Sequence, residues 1–395
     1  MRSHAIFKLQ DHIGDFYMKK RLLAAVLITA FSITACGKST GEALEEIIVS
    51  SAEILDEETG KEPEVEITVE ETPHVNAPAV AEETDEEFDP YEFNPHVFSV
   101  RDTELWGEDT RDTFYKFCDA IRNGEDTFEC PSEEVYYNVV GGRLINYYFP
   151  VAKTLINDDY YQNTGYENGV GLIPYGEDKD AFLKEEKEFE EVITDILNDN
   201  VRQDYSEFEK ALALYIYMTQ NYSYDYDMYA EMYGPRGDEI ATYRALKEGQ
   251  GICMELAGVY NYLLLQCGVE SDLITGDNPS LGEGHQWNFV RIGGTDYHID
   301  PTFGLSLPYV CRGNTQLDFF MMTDEVRENR DGFPIEDFGI CGRGDESRDY
   351  FEFAATDDSY SDLRWGYFLE MDTENDIVIY HSYTDDEVKE FHYAA

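Results

Sequence analysis

Residues 253–268 carry the strongest structural signal in the sequence, a long helix with one continuous apolar face. Its apolar side chains recur at the spacing of an α-helix, and Gly268 follows where a C-terminal cap belongs. A helix of about four turns with such a face must be covered by other elements, so a core is expected around it. The face consists of Leu256, Val259, Tyr260, Leu263, Leu264 and Cys267.

Cys253 lies at the start of this helix, before the apolar face begins. Cys267 continues the face and is interpreted as a small core residue, the usual role of a lone cysteine. The N-terminal end of a helix favours negative charge and therefore the nucleophilic thiolate. Gly249 and Gly251 allow a tight turn that leaves backbone N–H groups free to face an oxyanion. Cys253 is therefore a candidate nucleophile.

A second signal is the stretch GHQWNFVRIGGTDYHIDPTFG at 284–304, which predicts a β-hairpin. Its strands are expected over 286–292 and 295–303. The pair Gly293-Gly294 between them suits a two-residue turn, which fixes the pairing of the strands.

The predicted register places several polar side chains on one face of this hairpin. Trp287 is expected opposite Asp300 and His285 opposite Thr302, because directly paired residues point the same way. His285 and Asp300 are then diagonal neighbours, with Cα atoms about 7–8 Å apart. A carboxylate that close would fix the imidazole tautomer and stabilise the imidazolium. His298 shares the face but lies deeper toward the turn, and we interpret it as a packing residue.

Taken in chain order, the segments around Cys253, His285 and Asp300 resemble those of the transglutaminase-like superfamily. The resemblance rests on GQGICMELAGVYNYLLLQCGV (249–269), GHQWN (284–288) and DYHIDPTFG (296–304). It is supported by EKALALYIYMTQNYSYDYD before the cysteine and by DFFMMTDEVR (318–327), interpreted as a following strand. It implies an α+β fold with a papain-like core, in which the nucleophile helix packs on an antiparallel sheet.

The resemblance also implies a triad, with Cys253 as the nucleophile, His285 as the general base and Asp300 as the orienting acid. The thiolate would attack a carboxamide and form a thioester. Water would then complete amide hydrolysis, and an amine would complete transamidation. The backbone N–H of Cys253 is an expected oxyanion donor, with Gln250 and Trp287 as weaker candidates for that or an auxiliary role.

The implied substrate is a protein or peptide, cell-wall peptide included, and neither a cofactor nor a metal is implied. Gln286 and Glu255 stand where members of the superfamily carry other residues, and we expect them to alter what fits the cleft. The alternative function is a non-catalytic lipoprotein that keeps the fold as a binding or docking module.

The N-terminus has the pattern of a targeting segment. Residues 1–17 are interpreted as an upstream start-site artefact, and 18–36 as a signal peptide with a basic start and a short apolar run. The run is too short to span a bilayer comfortably. It ends in Ile-Thr-Ala-Cys at 33–36, which resembles a bacterial lipoprotein lipobox. Lipidation of Cys36 would anchor an extracytoplasmic protein to the bacterial cell membrane.

The formal charge of −54 excludes nucleic acid as an expected partner, because phosphate backbones would be repelled. Residues 37–95 are acidic and nearly free of aromatic residues, which predicts a disordered tether. An N-terminal helical and mixed extension is expected over 96–199, the catalytic domain over 200–342 and a small antiparallel β segment over 343–395.

Within these regions the sequence predicts helical structure over 101–130, strands and loops over 135–180, and a helix over 181–199. A capping box at Ser206 is expected to open the next helix. Apart from Cys36 the chain has six cysteines, enough for three disulfides in an extracytoplasmic protein, and their pairing stays open. Five of these are Cys118, Cys130, Cys267, Cys311 and Cys341, the sixth being Cys253.

Overall fold

The structure is a computed structural model of the chain. It describes residues 89–141, 143–154, 165–176, 178–234, 236–280, 282–305, 311, 313–340 and 354–394. These all belong to one unit, Pro73–Ala395. The predicted signal peptide and Cys36 lie outside the described residues, as does Cys341.

The N-terminal part of the described chain is mainly helical. Its helices are α1 (Val100–Trp106), α2 (Glu108–Arg122), α3 (Glu133–Val140), α4 (Arg143–Tyr148) and α5 (Lys179–Asn200), with a 3-10 turn at Pro150–Thr154. Its strands β1 (Thr127–Glu129), β2 (Tyr166–Glu167) and β3 (Val170–Leu172) form an antiparallel sheet in the order β1-β3-β2.

The predicted helical structure over 101–130 is confirmed by α1 and α2 as far as Arg122, after which β1 follows, and the predicted helix over 181–199 is confirmed by α5. The prediction of strands and loops over 135–180 is wrong for its first part, where α3 and α4 lie. Ser132 caps α3 by accepting a hydrogen bond from the Val135 amide at 3.2 Å. Tyr136 of α3 and Leu144 of α4 are buried in the core. Their packing therefore overrides the strand preference of a tyrosine-rich segment.

The next part leads to the cysteine-bearing helix. Its elements are α6 (Glu207–Asn221), β4 (Ser223–Tyr224), α7 (Tyr226–Glu231), a 3-10 turn at Gly237–Glu239, α8 (Thr242–Glu248), β5 (Gln250–Gly251) and α9 (Cys253–Gln266). The capping box at Ser206 is confirmed. Its hydroxyl accepts from the Glu209 amide at 3.3 Å, and the Glu209 carboxylate accepts from the Ser206 amide.

A four-stranded antiparallel sheet supports α9. Its strands are β6 (Ser271–Asn278), β7 (Glu283–Ile292), β8 (Thr295–Ile299) and β9 (Gly339–Ile340), in the order β8-β7-β6-β9. Helix α9 packs on β6 and β7, and its residues from Glu255 to Gln266 are all buried. The predicted α+β fold, with a helix packed on an antiparallel sheet, is confirmed.

The β7–β8 hairpin has the predicted turn and register. Gly293 and Gly294 have φ angles of 59° and 84°, which glycine adopts without a steric penalty. The second strand is shorter than predicted, because β8 ends at Ile299 and a helical turn, α10 (Pro301–Gly304), follows. Proline favours the first position of a helix, so the predicted pairing of Thr302 with His285 does not form.

The C-terminal part adds a short helix and a second sheet. Its elements are α11 (Asp324–Asn329), 3-10 turns at Ile335–Asp337 and Ser361–Leu363, and strands β10 (Gly366–Asp372), β11 (Ile377–Ser382) and β12 (Glu387–His392). These three strands are antiparallel in chain order, as predicted for this segment. The strand predicted over 318–327 is wrong. A single bridge joins Met322 to His298, and Thr323 then caps α11.

Residues 89–95 correct the prediction of a disordered tether up to residue 95. The Tyr91 amide donates to Asn198 at 2.6 Å, and Asn94 exchanges two hydrogen bonds with Gln266 at the end of α9. Tyr91 also packs against the core. Among the described residues, no helix has the length and apolar character needed to cross a membrane.

Candidate active site

Helix α9 begins at Cys253, whose side chain is partly exposed. The residues just before Cys253 form strand β5, which pairs in parallel with β4. Gly249 has a left-handed φ of 63°, and a Cβ on Gly251 would lie only 3.0 Å from that of Glu255. Both glycines are therefore required by the turn and the packing. As the first helical residue, Cys253 has a backbone N–H without a partner inside the helix.

The buried carboxylate of Glu255 holds this helix end in place. It accepts from the Ile252 amide at 3.0 Å and from the Ala241 amide at 3.0 Å. Two nitrogens of Arg244 also donate to it, and a third donates to Asp225 next to β4. The expectation that Glu255 alters what fits the cleft is wrong, because this side chain is only 1% exposed and lies inside the fold.

His285 and Asp300 meet beside this helix end. The Nε2 atom of His285, on β7, lies 2.7 Å from Oδ2 of Asp300. Asp300 follows β8 and caps α10, where its Oδ1 accepts from the Phe303 amide at 3.0 Å. The strand pairing and the helix cap therefore fix the carboxylate from two directions.

The side chain of Cys253 lies close enough to the His285 ring to affect its pKa by charge and by hydrogen bonding. The strand that carries the histidine is tied to α9 by Asn288, whose amide donates to the Ala257 carbonyl at 3.0 Å. The His285 ring stacks on Phe303 with centroids 4.4 Å apart. The structure thus brings together the three residues named from the sequence.

The environment of His285 favours the imidazolium form. Burial alone would lower the pKa of His285, but the charge of Asp300, their hydrogen bond and the contact with Cys253 raise it to about 9. Burial raises the pKa of Asp300, and His285, Arg327 and the Phe303 amide outweigh that effect and lower it. The carboxylate therefore remains charged next to a protonated ring.

Arg327 of α11 is a buried partner of this pair that the sequence did not reveal. Its Nη2 lies 3.1 Å from Oδ2 of Asp300, and its Nη1 lies 2.8 Å from Asp331. The guanidinium carbon is 4.3 Å from the centre of the Trp287 ring, a cation–π contact. Arg327 thus contacts the same carboxylate oxygen as the histidine and helps to hold it in place. Its sequence context, DEVREN, is typical of an exposed helix and carries no signal of burial.

The weaker candidates take other roles. The Trp287 indole is fully buried and donates to Nδ1 of His298 at 2.9 Å, so it is not available to an oxyanion. Gln250 is partly exposed, and its amide donates to Glu248 at 3.4 Å. Gln286 is also partly exposed. The packing role expected for His298 is confirmed, since the ring is 0% exposed and its Nε2 bonds to Asp324 at 2.7 Å.

The other cysteines in the described chain are free thiols, so none of the possible disulfides forms among them. They are Cys118, Cys130, Cys267 and Cys311, and all four are buried. Among the described residues, no group of three or more His, Cys, Asp or Glu side chains is arranged to hold a metal ion.

Residues 195–301 match the family model of the transglutaminase-like superfamily. This confirms the resemblance for the part of the chain that contains Cys253, His285 and Asp300. No protein among the curated sequences matches the chain.

Two solved structures are similar to shorter parts of the chain. One is a "putative cysteine protease" from Cytophaga hutchinsonii, 19% identical over 23% of this chain and 30% of that one, with a TM-score of 0.20. The other is described as a TGase, 16% identical over 32% of this chain and 34% of that one, with a TM-score of 0.26. The matches thus span about a third of those two proteins.

Proposed function

We propose that the protein is a cysteine enzyme that cleaves or exchanges amide bonds of proteins or peptides through a thioester. The observation that carries the proposal is the contact of His285 with Cys253 on one side and with Asp300, at 2.7 Å, on the other. A thiol, an imidazole and a carboxylate in this order form the arrangement that activates a cysteine nucleophile.

In the first half of the proposed reaction, His285 already holds the proton given up by the Cys253 thiol, and the sulfur attacks the carbonyl carbon of the amide. A carbon–sulfur bond forms, and the oxygen becomes an oxyanion facing the N–H groups at the start of α9. The carbon–nitrogen bond then breaks as the leaving amine takes the proton from His285. The thioester and a free amine are the products of this half.

In the second half, water or an amine attacks the thioester carbonyl while His285 accepts its proton. The carbon–sulfur bond breaks, and the sulfur leaves as the thiolate and recovers the ion pair with His285. Water gives hydrolysis and an amine gives transamidation. Asp300 holds the ring and stays ionised through both halves, because Arg327 and His285 favour its charged form.

Alkylation of Cys253 tests the proposed nucleophile without a known substrate. The rate constant for iodoacetamide at Cys253, measured by peptide mass spectrometry between pH 5 and 9, is expected to exceed that of N-acetylcysteine at pH 6. His285→Ala should remove this excess. A rate no faster than that of the free thiol, unchanged by His285→Ala, would contradict the proposal and favour the non-catalytic docking module.

The two reactions are then separated with casein and a dansylated primary amine. Incorporation of the amine indicates transamidation, whereas ammonia release or new N-termini without incorporation indicate hydrolysis. Cys253→Ala is the control for both. Equal signals from the wild type and this variant would contradict an enzyme that acts on protein amides.

We also propose that a lipid on Cys36 anchors the protein outside the cytoplasm, at the bacterial cell membrane. The proposal is supported by the basic start, the apolar run and the Ile-Thr-Ala-Cys sequence at 33–36. Cys36→Ser is expected to release the protein into the medium in fractionation experiments. Retention of this variant in the membrane fraction would indicate a different anchor.

A further inference from the structure

A group of tyrosines lies directly beside Cys253. Strand β4 pairs in parallel with β5, so Tyr224 lies opposite Gly251, two residues before the cysteine. The ring of Tyr226 contacts that of Tyr224 edge-on, with centroids 4.9 Å apart, and the ring of Tyr229 lies at 6.1 Å. The peptide segment that carries these rings is therefore held against the approach to the nucleophile.

Glu283 connects this group to the histidine. It begins β7 and lies two residues before His285, on the same face of the strand. Glu283 lies close enough to the Tyr229 hydroxyl for hydrogen bonding to contribute to the pKa of this phenol. Burial, followed by this hydrogen bonding and the charge of Glu283, raises the pKa of Tyr229 to about 12, so the phenol stays neutral. We call Tyr224, Tyr226, Tyr229 and Glu283 the tyrosine subsite.

The tyrosine subsite is open to solvent and lies in an acidic environment. Tyr226 is 75% exposed and Tyr229 is 37% exposed, and Glu283 is exposed as well. Exposed aromatic residues next to one another are characteristic of binding surfaces. The adjoining segment 226–239 contains four acidic residues and a single basic one, Arg236, which is paired with Glu239 at 2.9 Å.

We propose that the tyrosine subsite binds a cationic side chain, arginine or lysine, of the peptide whose amide Cys253 attacks. This proposal rests on the proposed function and names its substrate class. Tyrosine faces attract a cation within about 6 Å of the ring centre, and the Glu283 carboxylate supplies the matching charge. An apolar side chain would remove water from the Glu283 carboxylate without supplying a compensating positive charge. An acidic side chain would be repelled by that carboxylate.

A matched pair of alkylating probes tests this preference on the full chain. Chloroacetyl-arginine amide and chloroacetyl-citrulline amide have nearly the same shape and differ in side-chain charge. In both, the Cys253 sulfur displaces chloride, so a carbon–sulfur bond replaces the carbon–chlorine bond. The ratio of their rate constants at Cys253, divided by the same ratio for N-acetylcysteine, is expected to be about tenfold.

Three variants locate the origin of the preference. Tyr229→Ala and Glu283→Gln should each bring the ratio toward one. Glu387→Gln, which removes the same charge from an exposed position at the start of β12, should leave the ratio unchanged. A wild-type ratio near one would overturn the proposal. A high ratio that survives Tyr229→Ala and Glu283→Gln would also overturn it, since the net negative charge would then suffice.

Failure of the subsite and failure of the proposed function give different results. If Cys253 reacts no faster than N-acetylcysteine, the enzyme proposal fails, yet the ratio of the two probes still reports on the subsite. In the Cys253→Ala variant, saturation-transfer NMR with acetyl-arginine methylamide and acetyl-citrulline methylamide measures binding without the thiol. Transfer to the arginine compound alone supports the subsite, and equal or no transfer contradicts it.

Discussion

Two histidines on the same face of the β7–β8 hairpin each pair with an aspartate, and their environments shift the pKa values of the two rings in opposite directions. His285 lies 2.7 Å from Asp300, and His298 lies 2.7 Å from Asp324. The pKa of His285 is raised to about 9. The pKa of His298 is lowered, because burial and the charge of Arg327 outweigh the effect of Asp324.

The difference lies at the second ring nitrogen. In His298, Nδ1 accepts the indole N–H of Trp287, so a proton at this nitrogen would face another donor. His285 has no such donor; its other neighbour is Cys253, which raises the pKa of the ring by hydrogen bonding and charge. A carboxylate close to a histidine therefore does not make it a base. The partner of the other nitrogen decides whether the ring carries charge.

The largest expected effect separates the two histidines by the reactivity of Cys253. His285→Gln is expected to lower the rate at which Cys253 turns over the amides of casein by about 10²- to 10⁴-fold, the usual contribution of a positioned acid–base group. His298→Gln is the matched control and should leave that rate near the wild-type value. Equal losses in the two variants would show that the pairs are equivalent, contrary to the structure.

Arg327 is the shared neighbour of both pairs, and Arg327→Met should disturb them together. Loss of the guanidinium removes one buried partner from each of Asp300 and Asp331, so the free energy of unfolding should fall by about 3–5 kcal/mol. Urea denaturation measures this. Arg291→Met removes a surface ion pair with Asp296 and should cost at most about 1 kcal/mol. A similar small loss for Arg327→Met would argue against its positioning role.

The two pairs should also stabilise the fold in opposite pH windows. The pKa of His285 is raised above its unfolded value of about 6.5, so its contribution is complete below pH 6.5 and is lost as pH rises through about 9. The loss amounts to about 3 kcal/mol. His298 has a lowered pKa, so its contribution is present above pH 6.5 and is lost as pH falls.

Urea denaturation from pH 4 to 10 separates these contributions. His285→Gln should flatten the alkaline side of the stability profile, and His298→Gln should flatten the acidic side. A profile in which both variants flatten the same side would contradict the assignment of charge to the two rings.

The smallest expected effect comes from a substitution that makes the surroundings of His298 more like those of His285. Trp287→Phe removes the indole N–H that occupies Nδ1 of His298, so the pKa of His298 should rise. The lost hydrogen bond should lower the free energy of unfolding by about 1 kcal/mol. NMR titration of the His298 ring checks the pKa. If it does not change, the indole hydrogen bond is not what keeps this ring neutral.

Local rules were enough to bring the three proposed catalytic residues together. The Gly293-Gly294 turn sets the register of the hairpin, and the alternation of strand residues places His285 and Asp300 on one face. The apolar face of α9 marks Cys253 as the residue before it. These are properties of a few neighbouring residues, and tertiary packing preserves them.

Other features depend on contacts between distant segments, which no local pattern records. Arg327 is buried because three aromatic rings and two carboxylates, from separate parts of the chain, surround it. Glu255 has the sequence context of a cleft residue. Its side chain is nevertheless buried, because Arg244 donates hydrogen bonds to it. The helices α3 and α4 form in a tyrosine-rich segment for the same reason.

The most direct test of the central claim is the protonation state of the two histidines. Nitrogen-15 NMR of histidine-labelled protein at pH 7.5, assigned with His285→Gln and His298→Gln, reports it for each ring nitrogen. Both nitrogens of His285 should carry protons, with loss of one near pH 9, while His298 should be neutral with its proton on Nε2. A neutral His285 at pH 7.5, or a protonated His298, would contradict the proposed ion pair with Cys253.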